Sequence, residues 1–238
     1  HMASYTTTDI RNIALTGSQG AGKTTLVEAM LNASGEIGHV GTIEEGNTVC
    51  DFDDLEKEYK HGIDSAVVHF DHKGAHINVI DTPGSPSFYG KSVAAIPAVE
   101  VQIIMIDAGV GIDTMVRKFV TLGRERQLPQ VILINKTDHG DDLASLLEDI
   151  QSTFGSVCRP VNLPSESGSS VIDCFKNSTG ESDLGDVEGF QTGIIDQVVE
   201  IDDELMEAYL EQGEVSPDQL HGPFEAALRQ GHLVPVMF

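Results

Sequence analysis

The sequence contains no tryptophan, and aromatic residues make up only 5% of its 238 residues. Its three cysteines, Cys50, Cys158 and Cys174, are too few and too widely spaced for a disulfide framework or a paired metal-ligand motif. No apolar run approaches the roughly 20 residues that a membrane-spanning helix needs. We therefore expect a soluble protein of a reducing compartment, the cytoplasm, and exclude a disulfide-rich secreted scaffold.

Basic residues are also scarce, because 14 Lys and Arg stand against 38 Asp and Glu and give a net charge of −24. Residues 1–138 hold 18 acidic and 11 basic residues, whereas residues 139–238 hold 20 acidic and 3 basic residues. Such a surface repels phosphate backbones, so we expect no direct binding of free nucleic acid. Two interpretations of the acidity stay open, namely a solvated surface from a salt-rich habitat and a docking face for a basic partner.

Short apolar runs alternate with helical patterns over the first 153 residues. The strand-like runs are NIALTG, SAVVHFDH, AHINVID, VQIIMID and QVILIN. The helical patterns are KTTLVEAMLNA, TMVRKFVTLGRER and LASLLEDI. Strands with little polar interruption, separated by helices, predict an α/β fold with a mostly parallel sheet and helices on both faces.

The pattern changes near residue 154, where Gly, Ser and acidic residues become frequent. Two acidic helical patterns follow, DDELMEAYLEQ and PDQLHGPFEAALRQ, and then a last strand-like run, HLVPVMF. We therefore predict a domain core at 1–153, a small α/β insert subdomain at 154–231 and the last strand of the core at 232–238.

The run GSQGAGKT, residues 17–24, matches the phosphate-loop pattern of Gly, four residues and Gly-Lys-Thr. It stands between a predicted strand and a predicted helix, where backbone N–H groups and the helix N-terminus can surround phosphate oxygens. Lys23 would reach the β and γ phosphates, where it would act in catalysis, and Thr24 would ligate Mg²⁺. We predict a P-loop NTPase fold in which the phosphates bind Gln19, Gly20, Ala21, Gly22, Lys23, Thr24 and Thr25.

A second motif, DTPG, follows the strand-like run HINVI and begins at Asp81. A carboxylate at the end of such a strand can hold Mg²⁺ through a water molecule. Gly84 would then offer its backbone N–H to a γ phosphate. Taken alone the motif also fits a plain turn, but its position after a phosphate loop favours the metal site.

A third motif, NKTD, follows the strand-like run QVILI. The carboxylate of Asp138 can accept hydrogen bonds from the ring N–H and the amino group of guanine, a donor pair that adenine does not present. Lys136 can lie along the base, and Asn135 can tie this turn to the phosphate loop. The three motifs in this order predict binding of GTP and GDP with Mg²⁺.

Taken together, the chain resembles the translational GTPases, and among them the GTPase domain of elongation factor G. The runs GAGKTTLVEAML, HGIDSAVVHF, VIDTPG and INKTD carry the resemblance, and the insert matches more loosely. The resemblance implies a monomeric GTP-hydrolysing switch domain that acts on the ribosome and is followed by further domains. It also implies that residues 34–63 form the first switch, ordered by the γ phosphate and Mg²⁺.

Three positions depart from the pattern of that family. The family usually has Asp at the position of Gly20, a Mg²⁺-bonding Thr at that of Asp64, and a His that helps to place the attacking water at that of Ser85. Asp64 is therefore a candidate metal ligand, and the missing His is similar to the elongation-factor-G-like paralogues. Because Ser has little base strength and a short reach, we expect slow hydrolysis without a partner.

Other histidines have two interpretations each. His61, in the first switch, is a candidate to replace the missing imidazole, and the alternative is a plain exposed loop residue. His69, His72 and His76 fit the exposed positions of a hairpin better than a metal site.

Two other functions are also open. Ser85 supports a module that binds GTP in a regulatory or structural role and hardly hydrolyses it. A P-loop ATPase or kinase is a further alternative, against which Asp138 argues.

Overall fold

The computed structural model describes residues 5–140, 142–175, 177, 179–212, 215 and 217–238. In chain order its strands and helices are β1 (Ile10–Gly17), α1 (Lys23–Ser34), α2 (Asp54–Tyr59), β2 (Ala66–His72), β3 (Ala75–Asp81), α3 (Tyr89–Ala95), β4 (Val101–Asp107), α4 (Thr114–Glu125), β5 (Gln130–Asn135), α5 (Leu143–Phe154), β6 (Cys158–Pro160), β7 (Asn162–Ser165), β8 (Ser170–Asp173), β9 (Glu181–Ser182), β10 (Gly185–Asp186), α6 (Val187–Val199), α7 (Asp203–Gln212), α8 (Pro217–Gln230) and β11 (Val234–Met237).

The main sheet has seven strands within the described residues, in the order β2-β3-β1-β4-β5-β11-β6. Strand β1 pairs in parallel with β3 and β4, and β11 pairs in parallel with β5 and β6. The β2–β3 pair at one edge is antiparallel. The predicted α/β fold with a mostly parallel sheet is confirmed. None of the helices in the described ranges is both long enough and apolar enough to cross a membrane.

The chain divides into two compact units, and the first comprises residues 1–105 and 113–123. Its core lies where helix α1 packs against the central strand and the β2–β3 hairpin, and it includes Leu15, Val27 and Val79, which are fully buried. At the carboxyl end of β1, a Cβ on Gly17 would lie 2.5 Å from the carbonyl oxygen of Met105. Only glycine therefore allows the chain to turn from β1 into the loop at this point.

The hairpin of β2 and β3 turns at Lys73 and Gly74, which both have positive φ, as a tight two-residue hairpin turn requires. His69 and His72 are exposed. The ring of His76 stacks on Tyr5 and its Nδ1 lies 2.8 Å from Asp71 Oδ1. The predicted hairpin is confirmed, and so are the exposed positions of His69 and His72, whereas His76 is half-buried.

The second unit comprises residues 106–112 and 124–238. It holds β5, β11 and β6 of the main sheet and, beyond them, two small antiparallel sheets, β7–β8 and β10–β9. Helices α6, α7 and α8 share a second core with these strands, which includes Leu163, Val187, Ile194 and Val198. Strand β6 lies within the predicted insert range 154–231 but pairs with β11, so the main sheet extends into that range.

Candidate functional site

The phosphate loop joins β1 to α1 in the first unit, and Gly20 and Gly22 in it have positive φ. Lys23, the first residue of α1, is buried. Its Nζ donates hydrogen bonds of 2.9 Å to the carbonyl oxygens of Gly17 and Ser18. Because the ammonium is held inside the loop that the motif predicts for phosphates, it is placed to neutralise their charge.

Two acids balance the charge of this lysine. Burial lowers the pKa of Lys23 to about 8, while Asp81 and Asp113 act in the opposite direction. Asp113 precedes α4, accepts a hydrogen bond from the hydroxyl of Ser18, and also accepts one of 2.9 Å from the backbone N–H of Val116. Asp113 was not predicted from the sequence, although its place before a helical pattern is typical of an N-cap.

Asp81 ends β3 and is buried. Its Oδ2 accepts a hydrogen bond of 2.6 Å from Thr24 Oγ1, whereas its buried Oδ1 has no hydrogen-bond partner among the described residues. Burial raises the pKa of Asp81 to about 6, against the lowering effects of Thr24 and Lys23. The neighbouring Cys50 thiol is only a weak donor to this carboxylate, and a carboxylate oxygen without a stronger partner is costly to bury, so the pair favours a further cation.

These residues fit Mg²⁺. The Thr24 hydroxyl and the Asp81 carboxylate are the oxygen donors that this ion prefers, together with phosphate oxygens and water. In the described ranges, no group of three or more His, Cys, Asp or Glu could hold a metal without such external ligands. The other candidate ligand, Asp64, is an exposed carboxylate that accepts a hydrogen bond of 2.7 Å from Lys91 Nζ.

Cys50 is a buried neighbour of Asp81 that the sequence analysis did not select. Burial is the main cause that raises the pKa of its thiol far above the ordinary value, and the charge of Asp81 adds to it. A neutral thiol therefore lies beside the carboxylate. No sequence signal marked it, because a single cysteine in a loop has no spacing to interpret.

Gly84 approaches the phosphate loop very closely. A Cβ on it would lie 2.5 Å from both Gln19 N and Lys23 Nζ. Only a glycine backbone therefore fits between these two groups.

Ser85 is half-buried and precedes a short 3₁₀ turn, Pro86–Phe88. His61 is also half-buried, and its ring centroid lies 6.1 Å from that of Phe88. The structure thus brings the His61 ring to the turn that follows Ser85.

The NKTD turn lies in the second unit. Asn135 ends β5, and its carbonyl oxygen accepts a hydrogen bond of 2.9 Å from Ala108 N. Lys136 has a φ of 59°, and its Nζ lies 2.7 Å from Asp107 Oδ2. Asp138 is exposed in the 3₁₀ turn that follows. Asp107, which the sequence analysis missed, therefore fixes the lysine of the motif from the end of the preceding strand in chain order.

Comparison with known proteins decides the family. A family model described as the elongation factor Tu GTP binding domain matches residues 8–238. The chain belongs to this family. Its membership implies guanine-nucleotide binding by the domain and confirms the predicted resemblance to the translational GTPases.

The relatives of this elongation factor Tu-type GTP-binding domain include two kinds of translation factor. An elongation factor G-like protein of Mycobacterium tuberculosis is 31% identical over 96% of this chain and 34% of its own length. A peptide chain release factor 3 of Microcystis aeruginosa is 31% identical over 85% of this chain and 38% of its own length. The chain thus spans little more than a third of the length of these relatives.

A crystal structure of a protein from Thermus thermophilus has the same fold. Its TM-score is 0.88 at 30% identity, and the match covers 96% of this chain and 37% of the other. The P-loop NTPase architecture that the sequence predicted is thus shared with a solved structure.

Proposed function

We propose that this domain is the Mg²⁺-dependent GTP-binding and GTP-hydrolysing switch of an elongation factor G-like translation factor. The observation that carries the proposal is the buried Asp81, whose Oδ2 is bonded to Thr24 while its Oδ1 has no partner in the described part of the chain. This arrangement supports a Mg²⁺ site, because a hydroxyl of the phosphate loop and an Asp hold the ion in P-loop NTPases. Family membership supplies the guanine nucleotide.

In this proposal the phosphates lie along the loop from Gln19 to Thr25. Lys23 binds the β and γ phosphates and stabilises the charge that develops as the γ-phosphate bond breaks. Gly84 offers its backbone N–H to the γ phosphate. Thr24 and, through water, Asp81 would hold Mg²⁺, which would supply further positive charge to the phosphate oxygens.

The base is read by the NKTD turn. Asp138 accepts hydrogen bonds from guanine, Lys136 lies along the base, and Asn135 supports the turn. An ATPase or kinase is the weaker alternative, because adenine presents no donor pair to this carboxylate.

The partners follow from the relatives, which are named as translation factors. We propose that the domain acts in the cytoplasm as a monomer and meets the ribosome through its switch face or through domains beyond residue 238. The acidic residues at 139–238 argue against direct binding of free nucleic acid. A GTP-turnover assay on the full-length protein, with and without ribosomes, tests the proposal. Stimulation by ribosomes supports it, and equal use of ATP contradicts it.

A second candidate function is a GTP-binding module that hardly hydrolyses its ligand. Ser85 favours it, because a hydroxyl cannot act as an effective base at neutral pH. Single-turnover hydrolysis on the ribosome separates the two functions.

We expect intrinsic GTP hydrolysis at about 10⁻⁴ to 10⁻³ s⁻¹ or below, since no imidazole stands at position 85. Ser85→His should raise this rate only about tenfold, because Pro86 restricts the backbone that would aim the new ring. Single-turnover hydrolysis measures both proteins. Wild-type turnover near 1 s⁻¹ without a partner would contradict the expectation.

His61→Ala in the same assay tests whether this imidazole replaces the missing one. A loss of about tenfold or more would place His61 in the catalytic machinery. His72→Ala, an exposed position at the end of β2, is the matched control and should leave the rate unchanged.

Nucleotide affinity should fall at high pH because burial lowers the pKa of Lys23 to about 8 in the free protein. The lysine is charged below that pH and loses its proton as the pH rises through it. Bound phosphate keeps the ammonium charged, so the dissociation constant for GDP should rise about tenfold from pH 7 to pH 9. Calorimetric titration across this range measures the effect. Lys23→Met should bind weakly at both values, and a flat wild-type profile would contradict the prediction.

A further inference from the structure

A buried carboxylate of α1 connects the nucleotide site to the first switch. Glu28 is 1% exposed and lies one helical turn after Thr24. Its Oε2 accepts a hydrogen bond of 2.8 Å from Gly41 N, and its Oε1 accepts one of 2.5 Å from Val49 N. One side chain therefore holds both ends of residues 41–49, an arrangement that we name the Glu28 bridge.

The bridge controls where the next residues lie. Val49 is followed by the buried Cys50, which neighbours Asp81, and by the buried Asp51. Thr48 Oγ1 donates a hydrogen bond of 2.8 Å to Asp51 Oδ2 and so fixes this short segment. The position of Cys50 beside the Asp81 carboxylate thus follows from the backbone that Glu28 holds.

The backbone around Gly41 leaves no room for a side chain at this position. A Cβ on Gly41 would lie 2.5 Å from the carbonyl oxygen of Asn47, so the segment closes on itself only with glycine here. Hydrogen bonds from N–H donors to a carboxylate are among the stronger ones in proteins, and the one from Gly41 N is buried.

A second buried carboxylate, that of Glu56, holds the backbone at the end of the first switch. Glu56 is 2% exposed, and its Oε1 accepts hydrogen bonds from Ile63 N at 2.9 Å and Asp64 N at 3.2 Å. It also closes the capping box of α2 with Asp53. The two glutamates thus hold the backbone at four points of residues 41–64, namely Gly41, Val49, Ile63 and Asp64.

We propose that Glu28 is a positioning residue for GTP hydrolysis, which acts by holding residues 41–49 so that Cys50 stays beside the carboxylate of Asp81. This inference rests on the proposed function. A residue with a purely structural role would weaken GDP and GTP binding alike. A positioning residue of the first switch affects the triphosphate and its hydrolysis and leaves GDP affinity nearly unchanged.

The test compares wild type, Glu28→Ala, Glu28→Gln and Glu100→Gln. Glu100 is the matched control, because it also accepts a backbone hydrogen bond, of 2.6 Å from Asn12 N, but near the opposite end of the β1 strand. Hydrogen exchange of residues 41–50 is measured first without nucleotide, so this readout does not depend on GTPase activity. We expect exchange to rise at least tenfold in Glu28→Ala, less in Glu28→Gln, and not in Glu100→Gln.

Dissociation constants for GDP and for a non-hydrolysable GTP analogue, and single-turnover hydrolysis, complete the test. We expect GDP affinity within twofold of wild type and about tenfold losses in analogue affinity and in hydrolysis for Glu28→Ala. Unchanged exchange at 41–50, or equal losses of GDP and analogue affinity, would overturn the proposal. If Glu28→Ala does not fold, Glu28→Gln keeps one acceptor oxygen and decides the question. Absence of wild-type hydrolysis with ribosomes present would reject the proposed function, and the exchange and affinity ratios would still decide the role of Glu28.

Discussion

Asp81→Asn should make the protein more stable and at the same time remove the effect of Mg²⁺ on triphosphate binding. Burial raises the pKa of Asp81 to about 6, above its value of 3.8 in an unfolded chain. The folded state therefore disfavours the charged form, and the stability of the wild type falls as the pH rises from about 4 to about 6. An uncharged Asn avoids this cost, so we expect its free energy of unfolding near pH 7.5 to exceed that of wild type by about 1–3 kcal/mol.

Thermal unfolding in EDTA at pH 4.5 and pH 7.5 measures the stability, and the gain should be larger at the higher pH. Titration of a GTP analogue with and without Mg²⁺ measures the second effect. Asp64→Asn is the control, because hydrogen bonding from Lys91 lowers the pKa of this exposed carboxyl. It should not stabilise the protein. If Asp64→Asn removes the Mg²⁺ effect and Asp81→Asn retains it, the metal assignment to Asp81 is wrong.

Asp138→Asn should change the preferred base from guanine to xanthine. Xanthine has a carbonyl oxygen where guanine has its amino group, so the Asn amide can donate where the Asp carboxylate accepts. A site built to hydrogen-bond one base loses affinity strongly when its polar groups are left unpaired. We expect GDP affinity to fall by about 10²- to 10³-fold and xanthosine diphosphate to become the better ligand.

Competition between the two diphosphates at fixed Mg²⁺ measures this change. Asp142→Asn is the matched control, since Asp142 lies four residues further on and accepts a hydrogen bond of 2.9 Å from Ser145 N as the N-cap of α5. It should leave the base preference intact. Equal GDP affinity in wild type and Asp138→Asn would show that this carboxylate does not read the base.

The phosphate part of the site was predictable because its chemistry is encoded in short, ordered runs. Glycines before Lys23 and an acid at the end of a strand, in this order, predict a phosphate-loop backbone and a carboxylate beside it. The contact between Thr24 and Asp81 then follows from the parallel pairing of β1 with β3, which brings the carboxyl ends of both strands to one edge. The order of the motifs and the strand order of the sheet therefore both place Thr24 beside Asp81.

The buried residues that hold the loops around the candidate site, such as Glu28, were not predictable in the same way. Glu28 has the sequence context of any polar residue on a helix, and its burial depends on the distant backbone of Gly41 and Val49. Helix α6 was missed for a different reason. Its buried positions, which include Val187 and Val198, follow a Gly- and acid-rich segment that dominated the local composition.

The position of β11 between β5 and β6 sets the order in which the second unit can form. Val234–Met237 is the last strand along the chain, yet it fills the gap between two strands that precede it by more than 70 residues. During synthesis, β5 and β6 therefore emerge with unpaired edges and must wait for this last strand. Such late, long-range pairing is slow and exposes strand edges to association with other chains. The segment between β6 and β11 carries many carboxylates. Their like-charge repulsion opposes association of the nascent chain with other chains.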